Sequence, residues 1–386
     1  MKKILFLIIL LLIPLNIYAL EYPKINSDKA IVYDLTSDKI LYEKNSNEQT
    51  NIASLTKIMT TITAIEKIDD LNEEVIITEE ILDTVSKKAS IAGLKKNDKV
   101  THEDLLYASM LPSGADATNT LAISLSGSID NFVKDMNNKA KELGMKDTHF
   151  VNVTGLDEEG HYSTANDISI LLKYSLKNKL FKEIFTTRKY KLSNKLKVES
   201  TINKYKEINT SKILGSKTGY TKKAGLCLAT LMEDEEHEII VITINAKNNS
   251  KRNNHLVDNT KIINFVEDNY NYYTVKEIGI YPINIEVPVI YSKIKTYNTS
   301  SKDTVKLYLP KDYDKNKITT KITNNNKLSF LNKKGDKIAT IEYYYDNELF
   351  TKENVYLNDN IKINLLSFLV DWKIYLILFI MFMKLK

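Results

Sequence analysis

A change of hydrophobic period near residue 213 constrains the fold more than any other feature of the chain. From about residue 102 to 180, apolar side chains recur at the three- and four-residue spacing of helices. Residues 213–221, 225–232 and 238–245 instead form consecutive strand-like segments joined by short polar turns, and such neighbours usually pair. We therefore predict a mixed α/β (α+β) fold in which helices pack on an antiparallel sheet.

Two segments nearer the N-terminus extend this architecture. Residues 30–33 and 40–42 flank a polar tetrad at 36–39 and predict a β-hairpin. Residues 54–67 contain neither glycine nor proline and predict a helix buried on one side, because their apolar residues follow helical spacing. Those apolar residues are Leu55, Ile58, Met59, Ile62 and Ile65.

The chain of 386 residues is long enough for two domains with accessory segments. Near residue 275 the sequence changes to alternating β segments, such as Ile283 to Val289, which indicates a small all-β domain. The predicted organisation is a signal peptide at 1–19, a main domain at 20–273, a β-rich domain at 274–358 and a membrane anchor at 359–386.

The N-terminus has the layout of a signal peptide. Lys2 and Lys3 precede an apolar run from Ile4 to Ile13, and the small residue Ala19 follows. Export is therefore expected. An uncleaved N-terminal anchor stays open as an alternative, because Ile17 is not the small residue expected two positions before Ala19.

Residues 374–383 form a second apolar run near the C-terminus. It follows a polar stripe at helical spacing that consists of Asn360, Asn364, Ser367 and Asp371. Ten helical residues rise only about 15 Å, half of a hydrocarbon core of about 30 Å. We therefore favour an amphipathic helix on the membrane surface followed by a hydrophobic dip. A full span, which would bury Asp371, and a buried core helix are the alternatives.

Composition excludes several function classes. The 54 basic and 49 acidic residues give a net charge of +5, too weak to indicate a nucleic-acid-binding surface. Cys227 is the single cysteine and is expected to be structural, within a buried strand. Neither a Gly-x-Ser-x-Gly elbow nor a zinc-binding histidine pattern occurs, so we expect no metal and no cofactor. The histidines expected to be structural or superficial are His102, His149, His161, His237 and His255.

Ser54 and Lys57 form a Ser-x-x-Lys pair at the start of the predicted helix. Their three-residue spacing puts both side chains on one helix face. A serine needs an adjacent base to become a nucleophile, and a lysine can be that base when burial or a neighbouring cation lowers its pKa. The spacing alone is not specific, since Ser292 and Lys295 repeat it by chance.

Two further elements follow in the chain. Ser113 lies in Leu111–Asp116, where a helical pattern gives way to a loop. Lys217 opens a Lys-Thr-Gly-Tyr sequence on a predicted strand, where the glycine lets another backbone approach closely. Each element alone is uninformative. Together with Ser54 and Lys57 they match, in order, the motif set of class A β-lactamases and penicillin-binding proteins.

With these motifs the sequence resembles the D-alanyl-D-alanine carboxypeptidases, serine peptidases among the low-molecular-mass penicillin-binding proteins. Residues 150–165 resemble a characteristic loop of that family, and the resemblance covers roughly residues 25–358. It implies a β-lactamase/transpeptidase-like main domain and a peptidoglycan stem peptide ending in D-Ala-D-Ala as substrate. It also implies β-lactam antibiotics as covalent inhibitors and a location on the outer face of the bacterial cytoplasmic membrane.

The resemblance implies catalytic roles for several motif residues. Ser54 would be the acylated nucleophile, Lys57 its general base, and Ser113 a proton relay toward the leaving amine. The backbone N–H groups of Ser54 and Tyr220 would form the oxyanion hole.

Substrate-binding roles are implied in the same way. Lys217 would supply positive charge, and Thr218 would hydrogen-bond the terminal carboxylate of the substrate. Gly219 and Tyr220 belong to the same binding strand. Arg252 lies where the family often has a carboxylate-binding arginine.

The sequence departs from the family pattern at Ala115, where many members have asparagine. The amide that would contact the acyl side of the substrate is missing, and the sequence does not place the nearby Asp116 or Asn119 in the pocket. This departure keeps a non-catalytic cell-wall scaffold open as an alternative. A β-lactamase is the other alternative, although its Glu-x-x-Leu-Asn pattern is absent between residues 130 and 200.

Overall fold

A computed structural model describes residues 22–205, 212–234, 237–248, 253–324 and 327–384 of the protein. The predicted signal peptide at 1–19 and the predicted carboxylate-binding Arg252 lie outside the described residues. Within this part of the chain, helices pack on a main antiparallel sheet, and a smaller set of β-sheets follows. The predicted fold class is confirmed.

The strands are β1 (Ser27–Asp34), β2 (Lys39–Lys44), β3 (Glu74–Ile76), β4 (Lys99–Thr101), β5 (Lys189–Lys191), β6 (Lys197–Glu199), β7 (Ile213–Thr221), β8 (Gly225–Asp234), β9 (His237–Ala246), β10 (Tyr270–Thr274), β11 (Asn284–Pro288), β12 (Thr296–Ser300), β13 (Lys306–Pro310), β14 (Ile318–Asn324), β15 (Lys337–Tyr345) and β16 (Glu348–Tyr356). The helices are α1 (Thr56–Lys67), α2 (Glu79–Asp83), α3 (His102–Met110), α4 (Ala115–Ser126), α5 (Ile129–Glu142), α6 (Ala165–Ser175), α7 (Lys179–Thr186), α8 (Asn254–Asn269), α9 (Val275–Ile278) and α10 (Leu365–Lys384).

The central sheet has the strand order β2-β1-β9-β8-β7, and every neighbouring pair is antiparallel. The pair β1 and β2 is the predicted hairpin, and β7, β8 and β9 are the three predicted consecutive strands. Both predictions are confirmed. Strand β7 forms one edge of the sheet, so its outer side is open to another chain segment.

Helix α1 lies at the centre of the main domain, where it contacts α3, α4, α5 and α6. The prediction of a helix buried on one side was wrong in this respect, since every residue from Thr56 to Ala64 is buried. Thr56 and Thr60 can lie in the core because their hydroxyl groups find acceptors there. The Thr60 hydroxyl, for example, donates to the carbonyl oxygen of Val153 at 2.8 Å.

A separate hydrophobic core lies among the C-terminal strands. Strand β10 pairs with β13, β11 pairs with β12, and β14, β15 and β16 form a three-stranded sheet. Buried residues at the centre of this core include Ile285, Val287, Leu309, Ile341 and Tyr343. The Tyr272 hydroxyl on β10 donates a hydrogen bond to the Asp34 carboxylate on β1 and so connects this region to the central sheet.

Helix α10 follows the β-rich region and packs on it at its first turn. The ring of Phe368 makes edge contacts with Tyr291 and Phe330, at centroid distances of 5.4 and 5.5 Å. Leu366 and Trp372 are 77% and 57% exposed. Among the residues that the structure describes, no helix combines the length and the apolarity required to cross a membrane.

Candidate active site

Ser54 lies in a short 3-10 helix, Ala53–Leu55, that leads directly into α1. Lys57 is one turn further along, and its Nζ donates a hydrogen bond to Ser54 Oγ at 3.2 Å. The same nitrogen donates to the carbonyl oxygen of Thr154 at 2.7 Å. Burial lowers the pKa of Lys57 to about 7, against a smaller opposing effect of the Asp116 carboxylate. This lysine is therefore partly neutral near pH 7 and able to accept a proton.

Ser113 lies in the connection between α3 and α4 and is also buried. Its φ of 67° places it in the left-handed region, which is uncommon for residues other than glycine and is often found at functional sites. The turn is held by the N–H of Gly114, which donates to the carbonyl oxygen of Ala108 at 3.1 Å. Ser113 Oγ accepts a hydrogen bond from Lys217 Nζ at 2.9 Å.

Lys217 is fully buried on β7 and also donates to the carbonyl oxygen of Thr218 at 3.0 Å. Burial, together with the charge of nearby Lys57, lowers the pKa of Lys217. Both burial and the Lys57 charge therefore disfavour the positive charge predicted for Lys217.

The edge strand β7 brings the third motif to the nucleophile. A Cβ atom on Gly219 would lie 2.9 Å from the backbone nitrogen of Ser54, so this close approach requires glycine. The Thr218 hydroxyl shares a hydrogen bond of 2.6 Å with the Thr201 hydroxyl. Tyr220 follows with an exposed side chain. The structure thus brings the three motifs together.

The residues after Ser113 have other partners. Ala115 is fully buried, and its N–H donates to the carbonyl oxygen of Ser90 at 2.8 Å. The Asp116 carboxylate accepts from the backbone N–H groups of Ala92, Gly93 and Leu94 at 2.8, 2.8 and 3.0 Å. The Asn119 amide donates to Thr84. The hydrogen bonds of Asp116 and Asn119 therefore hold the segment 84–94 and do not go to Ser54 or Ser113.

Several residues at this site were not predicted, namely Thr154, Gly155, His161 and Thr201. The segment 150–165 was recognised as a family loop, but no residue in it was given a part in the reaction, and His161 was expected to be structural or superficial. Gly155 has a φ of 83°, and a Cβ atom there would lie 1.9 Å from the carbonyl oxygen of Ala53. Thr201 carried no signal, because its contact with Thr218 depends on the folding of distant segments.

The single cysteine and the second Ser-x-x-Lys pair lack the features of a catalytic site. Burial of Cys227 on β8 raises its pKa to about 12, which disfavours the reactive thiolate. Ser292 and Lys295 lie outside any helix. In the described ranges, no group of three or more His, Cys, Asp or Glu side chains could hold a metal ion.

A helix that carries Ser-x-x-Lys beside an edge strand that carries Lys-Thr-Gly is the arrangement of penicillin-binding serine hydrolases. Solved structures share the fold. Penicillin binding protein 5 from Haemophilus influenzae has a TM-score of 0.70 and 24% identity and covers 89% of this chain and 100% of that chain. A peptidoglycan synthesis regulatory factor (PBP3) from Streptococcus pneumoniae has a TM-score of 0.76 and 20% identity, with coverage of 88% and 100%.

Sequence comparison narrows this class to one family. Residues 17–248 match the D-alanyl-D-alanine carboxypeptidases, and residues 281–362 match the C-terminal domain of penicillin-binding protein 5. D-alanyl-D-alanine carboxypeptidase DacF of Bacillus subtilis is 30% identical over 347 residues, 86% of this chain and 85% of that protein. DacC of Escherichia coli is 32% identical over 253 residues, 61% and 60% of the two chains. The chain belongs to the D-alanyl-D-alanine carboxypeptidase family and is a hydrolase.

Proposed function

We propose that the protein removes the terminal D-alanine from peptidoglycan stem peptides through an acyl-enzyme on Ser54. The observation that carries this proposal is the buried Lys57, whose pKa is lowered to about 7 and whose Nζ lies 3.2 Å from Ser54 Oγ. Family membership supports the substrate class and the covalent binding of β-lactams.

Acylation begins when the neutral Nζ of Lys57 accepts the proton of Ser54 Oγ, which bonds to the carbonyl carbon of the penultimate D-alanine. Negative charge develops on the carbonyl oxygen, where the N–H groups of Ser54 and Tyr220 stabilise it. The bond to the terminal D-alanine then breaks. Its amine receives, through Ser113, the proton that Lys57 took from Ser54, and free D-alanine leaves.

The terminal carboxylate of the substrate binds beside Lys217 and Thr218. The hydrogen bond between the Thr201 and Thr218 hydroxyls needs a proton from only one of them. When Thr201 is the donor, the Thr218 hydroxyl can donate its own proton to the carboxylate. The carboxylate favours the charged form of Lys217. The contribution of Arg252 rests on the family resemblance alone.

Hydrolysis of the ester by water completes the cycle and returns the Ser54 hydroxyl. A β-lactam follows the same acylation step, because its strained amide imitates the D-Ala-D-Ala end. Its ring nitrogen stays tethered to the acyl group, and the chain lacks the Glu-x-x-Leu-Asn pattern that serves deacylation in class A β-lactamases. We therefore expect a long-lived penicillin adduct.

Release of D-alanine from a synthetic peptide ending in D-Ala-D-Ala tests the proposal, with the lifetime of a labelled-penicillin adduct measured in parallel. One D-alanine is expected per peptide, together with a persistent adduct. Rapid penicillin hydrolysis without D-alanine release would make the protein a β-lactamase. A stable adduct without D-alanine release would make it a penicillin-binding scaffold, and either result contradicts the proposal.

For localisation, we propose export and attachment to the outer face of the cytoplasmic membrane through α10. The signal-like layout at 1–19 supports export. Exposed apolar side chains on the helix, including Leu366, Leu369 and Trp372, support attachment. As in the sequence-based interpretation, attachment at the membrane surface with a hydrophobic dip is favoured over a full span. Asn360 and Asn364 of the predicted polar stripe precede the helix, which begins at Leu365.

Truncation of the chain after Asn364 is expected to release the protein from membranes with its activity intact. The cut preserves the β-rich core, because Ile361 is buried in that core and Asn364 N donates to the carbonyl oxygen of Tyr291. Membrane and soluble fractions are compared after a salt wash, with signal cleavage confirmed by N-terminal sequencing. A truncated protein that still sediments with membranes would place the anchor elsewhere.

A further inference from the structure

The peptide unit between Ala53 and Ser54 is held in an unusual orientation. Ala53 has a φ of 46°, a left-handed conformation that is strained for a residue other than glycine. Two glycine backbones approach this peptide unit closely. The Gly155 backbone lies against the Ala53 carbonyl, and Gly219 of β7 lies against the Ser54 nitrogen. The unit is therefore clamped between the 150–165 loop and the edge strand.

The orientation of this unit decides where the Ser54 N–H points. In a planar trans peptide the C=O and the following N–H point in opposite directions. The Ala53 carbonyl accepts a hydrogen bond from Thr56 Oγ1 at 2.8 Å. Fixing that carbonyl toward Thr56 directs the Ser54 N–H to the other side, where β7 lies.

Thr56 is in turn held by His161. The ring Nε2 lies 2.9 Å from Thr56 Oγ1, and the ring Nδ1 accepts a hydrogen bond from the Val151 N–H at 3.2 Å. Because Nδ1 is an acceptor, the proton of the neutral ring is on Nε2, which donates to Thr56. The single Thr56 proton is then free to donate to the Ala53 carbonyl. Each hydrogen bond in this chain therefore has the same direction: Val151 donates to His161, His161 to Thr56, and Thr56 to the Ala53 carbonyl.

The surroundings keep this arrangement in one protonation state. His161 is buried, and its burial, assisted by the nearby His149 and Lys57 charges, lowers its pKa to about 4 against an opposing effect of Asp157. The ring is neutral at the pH values at which Lys57 acts as a base. A second proton on Nδ1 would also face the Val151 N–H.

We infer that His161 is a positioning residue of the oxyanion hole, which acts through Thr56 to orient the Ala53–Ser54 peptide unit. Neither side chain needs to touch the substrate. This inference rests on the proposed acyl-enzyme mechanism, and it assigns His161 a part in the reaction beyond the structural role expected from the sequence.

Single-turnover acylation by a chromogenic penicillin tests the inference, because a concentration series separates the first-order acylation constant from the dissociation constant of the encounter complex. His161→Leu and Thr56→Val are expected to lower the first-order constant about 10- to 100-fold. Complete loss of an oxyanion-hole donor costs about 100- to 1000-fold, and these variants only misorient the donor. The dissociation constant should change little. Thr56→Ser and His161→Gln, which retain the hydroxyl and an Nε donor, should stay close to wild type.

The double variant His161→Leu/Thr56→Val is expected to be no slower than the slower single variant, because both remove one connected chain of hydrogen bonds. His149→Gln is the matched control. His149 is exposed, immediately precedes the 150–165 loop and forms a hydrogen bond with the Gly160 carbonyl, and this variant should acylate at the wild-type rate.

A purely structural role for His161 would lower the melting temperature and the acylatable fraction while the first-order constant of the folded enzyme stayed the same. That result would overturn the inference. So would losses that multiply in the double variant, or a His161→Gln rate as low as that of His161→Leu. If His161→Leu does not fold, the Thr56→Val and Thr56→Ser pair decides. Absence of a Ser54 adduct in the wild type would instead refute the proposed function itself.

Discussion

Ser54→Ala is expected to abolish the covalent penicillin adduct completely, because the acyl group then has no oxygen to which it can bond. Release of D-alanine should fall to background in the same protein. The measurement is the intact mass after incubation with penicillin, followed by mapping of the modified peptide. Wild type should gain one penicillin mass, and the variant none. Binding of penicillin without a bond can persist, because Lys217 and Thr218 are unchanged.

The chain supplies its own control for this experiment. Ser292 and Lys295 repeat the Ser-x-x-Lys spacing, but they lie in the bends before β12 and not on a helix. Ser292→Ala should therefore acquire the adduct at the wild-type rate. An adduct that survives in Ser54→Ala, or disappears in Ser292→Ala, would show that the nucleophile had been assigned to the wrong serine.

Local patterns predicted the elements that carry the site. Apolar spacing located α1 and the three strands β7, β8 and β9, because period and turn residues are properties of short segments. The order of the three motifs predicted that Ser54, Ser113 and Lys217 would meet. The structure brings them together through the Ser113–Lys217 contact and the approach of Gly219 to Ser54.

What the sequence did not predict depends on distant contacts. The burial of α1 on all sides requires acceptors such as the Val153 carbonyl, which lies far from Thr60 in the chain. The left-handed conformations of Ala53 and Ser113 are imposed by packing, since neither residue favours them on its own. Asp116 follows the second motif directly, yet its carboxylate binds backbone groups of residues 92–94. No local pattern identifies such a partner.

Lys57→Arg tests the assignment of the general base. An arginine side chain keeps its positive charge at every accessible pH and cannot accept the Ser54 proton, so acylation should fall by about 10²- to 10⁴-fold. The acylation rate of Lys57→Ala should fall by a similar factor. The matched control is Lys67→Arg, at the end of the same helix, where the lysine forms an ion pair of 2.8 Å with Asp135. That variant should acylate as the wild type does.

The pH dependence of acylation separates loss of the base from loss of packing. In the wild type the deprotonated form of Lys57 is the active one, and burial lowers its pKa to about 7. The first-order acylation constant should therefore rise with pH through about 7 and level off above it. The Asp116 carboxylate raises this midpoint against the larger lowering effect of burial. In Lys57→Arg the rise should vanish and leave a slow, pH-independent rate. A variant that kept both a near-normal rate and the midpoint near 7 would show that another group removes the proton from Ser54.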